Sequence, residues 1–262
     1  MRNMNQVVGQ SDVIFLTLDT LRYDVAQQLW AEGRLPNFSK WLSPNGWEQR
    51  HSPGSFTYAA HQAFFAGFLP TPALPGKHPR LFACRFAGSE TTIENTFCFD
   101  APNLVEGLRQ VGYHTYCIGG VGFFNKQTPL SSVFPDMFDE SYWEPKFGVT
   151  EKESTRYQFE LAAEILEKQK DKVFLFINVS ALHQPNHFYL EGAVGDSIES
   201  HAAALEYIDA QLPILMTALA KRKSSFVICC GDHGTAYGED GYNGHRLGHP
   251  TVWEVPYTDF LT

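Results

Sequence analysis

The chain has 262 residues, of which 44% are hydrophobic and 19% charged, and its formal net charge is −9. That composition can build a sizeable core and excludes a disordered polyelectrolyte. The acidity and the lack of a dense Lys/Arg run argue against a nucleic-acid-binding module. An acidic protein that acts on an anion needs a local positive centre, which a bound cation would supply. Cys84, Cys98, Cys117, Cys229 and Cys230 are odd in number and form no C-x-x-C pair, so neither a disulfide framework nor a cysteine zinc site is indicated. Met1 to Ser11 lacks an apolar leader region, and no stretch reaches the roughly 20 apolar residues of a membrane span. The expectation is a cytoplasmic protein with no membrane partner, folded as one domain over residues 1–262.

In chain order, Asp12 to Leu18 is a short continuous apolar run, as a strand buried on both faces should be. It ends at Asp19. Residues 58–67 have helical character, with Thr57 placed as their N-cap. Four prolines from Pro70 to Pro79 mark a loop, and residues 80–100 are ambiguous. Asn103 to Val111 reads as a helix closed by Gly112, and Tyr113 to Ile118 as a strand. Residues 120–150 are rich in Gly, Pro and aromatics and read as an irregular excursion. A helix is predicted over 154–169, a buried strand over Lys172 to Val179, a long helix over Ser197 to Lys221 and a central strand over Ser225 to Cys230. Residues 234–250 read as a Gly/His-rich loop. Alternating strands and helices predict an α/β fold: a mostly parallel central sheet sandwiched by helices.

Ligands in such sheets bind beyond the carboxyl ends of the strands. Asp19, His183 and Asp232-His233 all follow closely after predicted strands, which puts these candidates on one edge. Asp232 and His233 can both ligate Zn²⁺ or Mn²⁺, and alone they fit a helix cap beside a surface histidine equally well. Asp19 alone suits a cap. Thr57, at a helix N-terminus, sees backbone N–H donors and the positive end of the dipole, a position that suits a nucleophile as well as a plain cap.

Taken in order, VIFLTLDTLRYD, SFTYAAHQAFFAGFLP, FLFINVSALHQP, AALEYIDAQLPILMTAL and FVICCGDHGTAYGEDGY resemble the alkaline phosphatase/sulfatase superfamily. The resemblance runs from the first strand nearly to the C-terminus and is poor over residues 70–100 and 120–150. It implies an alkaline phosphatase-like fold, with Thr57 as nucleophile four residues before His61. It also implies metal ligands at Asp19, Thr57, Asp232 and His233. Members with a threonine nucleophile include nucleotide pyrophosphatases and phosphoglycerol and phosphoethanolamine transferases. The sulfatase branch has a cysteine in C-x-P-x-R, where this chain has Thr57-Tyr-Ala-Ala-His61, and tends to pair aspartates where Asp19 is followed by Thr20. Both departures favour phosphate esters.

The resemblance further implies a substrate-contacting histidine at His183 and another at His245 or His249, with His61 also near the substrate. His187 and His201 read as solvated loop histidines. Asp196 and His201 stand five residues apart, one more than the pair that completes a second metal site, so one ion is expected. The expected activity is metal-dependent hydrolysis or transfer of phosphoric esters through a covalent threonine intermediate, with Mn²⁺ or Zn²⁺ and a small anionic ester as substrate. His183 with His249 or His245 would bind the anion or protonate the leaving group. The alternatives are a sulfuric-ester hydrolase and a metal-binding protein of the same fold that is catalytically silent.

Overall fold

The computed structural model describes residues 3–66 and 103–262. The loop and the ambiguous segment expected within 70–100, with Cys84 and Cys98, lie outside them.

Strand β1 is Asp12–Leu18, buried at every position, and helix α1 follows at Tyr23–Ala31. Strand β2 is Glu48–His51, and α2 is Thr57–Ala66. Helix α3, Leu104–Gln110, is capped by the Asn103 side chain on Glu106 N–H, and Gly112 takes the left-handed turn after it at φ +88°. Strand β3 is His114–Ile118, α4 is Pro129–Ser132 and β4 is Glu140–Tyr142. Helix α5, Ser154–Lys168, leads to β5, Val173–Val179. Helix α6, Ile198–Leu219, opens on a capping box from Ser197 to Ser200, holds Pro213 inside, and leads to β6, Ser225–Gly231. The chain closes with a small hairpin of β7, Ala236–Tyr237, and β8, Asn243–Gly244, then α7, Pro250–Trp253, and β9, Glu254–Leu261.

Seven strands form one sheet in the order β2-β9-β6-β1-β5-β3-β4. The five strands from β6 to β4 run parallel, and β9 and β2 add antiparallel pairs at one edge. This is the α/β architecture expected, a mostly parallel central sheet flanked by helices. Alternate residues of β1 supply opposite faces: Ile14, Leu16 and Leu18 pack beneath α1, α5 and α6, while Val13 and Phe15 join the α2 and α3 side. The second face is aromatic, with Phe65, Phe124, Phe134, Phe174 and Phe176 almost fully buried. Removing such a ring costs about 3–5 kcal/mol. Among the described residues no helix is long and apolar enough to cross a membrane.

Three expectations are corrected. The helix after β2 begins at Thr57 itself, so Thr57 is its first residue rather than its cap. The excursion over 120–150 contains β4, a three-residue edge strand. The stretch 234–250 contains the β7–β8 hairpin and the first residue of α7.

Candidate active site

β1 lies between β5 and β6, so the loops leaving all three emerge side by side. These loops carry Asp19, His183 and the Asp232-His233 pair. Thr20 takes φ +66°, an uncommon left-handed conformation for a β-branched residue, and its N–H donates to Asp232 Oδ1 at 3.1 Å. Asp232 Oδ1 also accepts from His233 N–H at 2.9 Å. The glycines flanking Asp232-His233 serve close packing. A Cβ on Gly231 would lie 2.6 Å from the Leu21 carbonyl oxygen, and one on Gly234 would lie 1.9 Å from that of Thr251.

Asp19, Asp232 and His233 are all fully buried, and one ligand atom from each lies within 4.8 Å of the other two. Asp19 Oδ2 accepts from Asn178 Nδ2 at 3.1 Å and from the Thr57 hydroxyl at 3.3 Å. Asp19 Oδ1 and Asp232 Oδ2 have no hydrogen-bond partner among the described residues. A carboxylate oxygen left bare in the interior is costly unless a cation meets it. His233 Nδ1 donates to the Gly234 carbonyl at 2.8 Å, which leaves the Nε2 lone pair free. That Nε2 sits 3.6 Å from Asp232 Oδ2, 4.0 Å from Asp19 Oδ1 and 3.3 Å from Thr57 Oγ1. Two bare carboxylate oxygens, an imidazole lone pair and a hydroxyl thus converge, and the donor set fits a divalent cation.

The electrostatics agree. Burial, then the nearby Asp232, pushes the Asp19 carboxyl up to about 6, and burial pushes Asp232 up to about 7. Burial lowers His233 from its ordinary range, so it is a neutral imidazole ready to ligate. The two acids repel each other until something positive arrives.

Thr57 opens onto a cavity of about 610 Å³ shared with His183 and His245. The His245 ring lies 4.7 Å from that of His233 and 5.9 Å from that of His183. His183 Nδ1 is engaged by the Gln184 carbonyl at 2.6 Å, leaving Nε2 available. The opposite wall is apolar and includes Val121, Phe123 and Val149, and Asn125 also lines it.

Two histidines stand elsewhere than expected. His249 does not line this cavity: it is the N-cap of α7, its side chain accepts from Thr251 N–H, and its Nε2 lies 3.1 Å from Asp240. His61 has no exposure and sits behind Thr57 within a cage of phenylalanines. Its Nδ1 donates to the Thr57 carbonyl at 2.7 Å and its Nε2 accepts from the Thr17 hydroxyl at 3.0 Å. Burial holds it down to about 3, so it braces the turn at Thr57 as a neutral ring and does not face the cavity.

His201 also departs from the solvated reading. It is buried on α6, with Nδ1 3.2 Å from Tyr237 Oη, while Asp196 accepts from Asn186 and His187 N–H groups. Asn178 was missed: it is the last residue but one of a strand buried on both faces, and an amide near the carboxyl end of such a strand was the available signal.

A family model named Sulfatase matches residues 11–259. The chain belongs to the sulfatase family. No curated protein sequence matches this sulfatase-family chain. Among solved structures, the C-terminal periplasmic domain of phosphoethanolamine transferase EptC from Campylobacter jejuni is 14% identical with TM-score 0.66, covering 96% of this chain and 79% of that one. The soluble domain of lipooligosaccharide phosphoethanolamine transferase A from Neisseria meningitidis is 14% identical with TM-score 0.63, covering 97% and 77%. The lipoteichoic acid synthase LtaP from Listeria monocytogenes is 13% identical with TM-score 0.64, covering 97% and 66%. A periplasmic domain of EptC from Escherichia coli with the same fold was solved in complex with Zn.

These neighbours overturn the expectation of a cytoplasmic protein. They include periplasmic domains, and the Neisseria transferase is an integral membrane protein. The polar first residues and the lack of a long apolar stretch, on which that expectation rested, do not discriminate between compartments.

Proposed function

We propose that the chain is a metal-dependent phosphoric-ester hydrolase or phosphotransferase that works through a covalent phospho-threonine at Thr57. The observation that carries the reading is Thr57 Oγ1, 3.3 Å from both Asp19 Oδ2 and His233 Nε2, beside two buried carboxylate oxygens without partners. Asp19, Asp232, His233 and Thr57 would hold one divalent cation, Zn²⁺ or Mn²⁺ by donor type, which when bound would lower the hydroxyl pKa and offset charge on the transferred group.

The Thr57 proton is directed at Asp19 Oδ2, whose basicity burial raises. Oγ1 then attacks phosphorus, and the bond from phosphorus to the leaving oxygen breaks. The leaving oxygen takes its proton from His183 in the cavity, while His245, which burial holds down to about 3, is a neutral ring that can only hydrogen-bond the anion. The first N–H groups of α2 face the developing charge, because Ala60 is the first to find a backbone partner, Phe56. Water, or an acceptor alcohol, attacks phosphorus in turn and frees Thr57. The periplasmic domains among the fold neighbours support a place outside the cytoplasm.

The test is hydrolysis of p-nitrophenyl phosphate, its diester and its sulfate by wild type and Thr57→Ala, metal-stripped and then refilled. Phosphate-ester turnover should depend on metal and fall roughly a thousandfold or more in the variant. Faster turnover of the sulfate would favour a sulfuric-ester hydrolase. Metal binding without turnover of any ester would favour a silent protein of this fold.

A further inference from the structure

Arg246 is singular among the arginines. Every other described arginine has a carboxylate partner: Arg22 has Asp24, Arg34 has Glu206, Arg50 has Glu48, Arg109 has Asp139, Arg156 has Glu153 and Arg222 has Asp12. In a chain of net charge −9, an arginine with no ion pair among the described residues stands out. Its guanidinium lies over the Phe56 ring, 5.4 Å from the centroid. That contact holds the planar fork while leaving its N–H donors free.

Its backbone points the same way. Arg246 takes φ +69°, a region that disfavours any residue with a Cβ. Its N–H donates to the Ser55 carbonyl at 2.8 Å, which ties its loop to the segment just before Thr57. Arg246 lines the cavity that holds Thr57, His183 and His245, and it is exposed, so it sits at the mouth.

We propose that Arg246 is the anion-binding and specificity-determining residue of this cavity, its guanidinium docking on oxygens of an anionic phosphate or phosphonate ester. This rests on the phosphoester reading of the site. Two parallel N–H donors match a pair of phosphoryl oxygens, and charge-assisted bonds of this kind are the stronger ones. The apolar wall opposite takes the uncharged part of the ester.

The experiment measures binding of inorganic phosphate by calorimetry to the metal-refilled protein, as wild type, Arg246→Gln, Arg246→Gly and Arg246→Lys. Melting temperatures are measured alongside. Glycine suits the left-handed backbone, so Arg246→Gly should melt within a few degrees of wild type. Phosphate affinity should fall roughly tenfold or more in the Gln and Gly variants and be partly kept by Lys. With an aryl phosphate diester, KM should rise in Arg246→Gln while kcat changes little. Phosphate binding in Arg246→Gln equal to wild type, or no binding by wild type, overturns the proposal. Thr57→Ala separates the two ideas: turnover that persists there sinks the threonine mechanism, whereas Arg246-dependent phosphate binding stands or falls without it.

Discussion

Asp12 opens β1 and Asp19 follows its last residue, and both carboxylates are buried. At the amino end, Asp12 Oδ1 accepts from Val173 N–H at 2.9 Å and Arg222 Nη2 at 3.0 Å, and Oδ2 accepts from Arg222 Nε at 2.7 Å. Arg222 spends its remaining donors on the carbonyls of Leu166 and Asp171 at 3.1 and 2.7 Å, and on that of Gln169. That charge is matched from within the chain. At the carboxyl end, Asp19 faces Asp232, neither has an ion pair with Lys or Arg among the described residues, and an oxygen of each lacks a hydrogen-bond partner there. Within one strand, a closed ion pair marks structure and an unmatched pair of acids marks a place for something brought from outside.

The largest effect that tests this contrast is on stability. Arg222→Ala strands Asp12 and should cost about 3 kcal/mol or more in urea denaturation, with turnover per folded molecule unchanged. If Arg222→Ala instead lowered turnover without lowering stability, the two ends would not differ in kind. Next comes Asn178→Ala, which removes the amide that orients Asp19. Metal affinity should fall roughly 10- to 100-fold, read by competition with a chelating dye. An unchanged affinity would mean that Asp19 is held by other contacts. The smallest effect belongs to His249→Ala, which loses a helix cap. It should lower stability by about 1 kcal/mol and leave turnover intact, so a large loss of turnover would return His249 to the site.

The parallel half of the sheet was legible because strands buried on both faces read as unbroken apolar runs. The bounds of β1 match the run Asp12 to Leu18, and β5 starts one residue inside the predicted one. The antiparallel edge was not. β2 is Glu-Gln-Arg-His with every residue exposed, and β9 is interrupted by Pro256, so neither carries the apolar signal. Ligands next to strand ends, Asp19 and Asp232-His233, could be placed from the order of elements alone. His245 and His249 could not be separated, because only the β7–β8 hairpin and the α7 cap decide which ring turns inward. Arg22, three residues past Asp19, is buried and paired with Asp24 and with Glu239, a partner remote in sequence. The resemblance implied that His61 lies near the substrate, and the aromatic cage that turns it inward is assembled from distant elements.

The central claim is that the acids at the carboxyl end await a cation, and thermal melts against pH test it. Both carboxyls are raised in the fold from their ordinary 3.8, so the unfolded chain gives up these protons first as pH rises. Without metal, this pair's contribution to stability is fully present below that ordinary value and is lost as pH climbs through about 6 and about 7. Metal should reverse the loss by taking the place of the protons. At pH ~8, metal-stripped Asp232→Asn should therefore melt above metal-stripped wild type, yet gain nothing when Zn²⁺ or Mn²⁺ is added, while wild type gains with metal concentration. A variant that melts below wild type without metal, or a wild type indifferent to metal, would contradict the account.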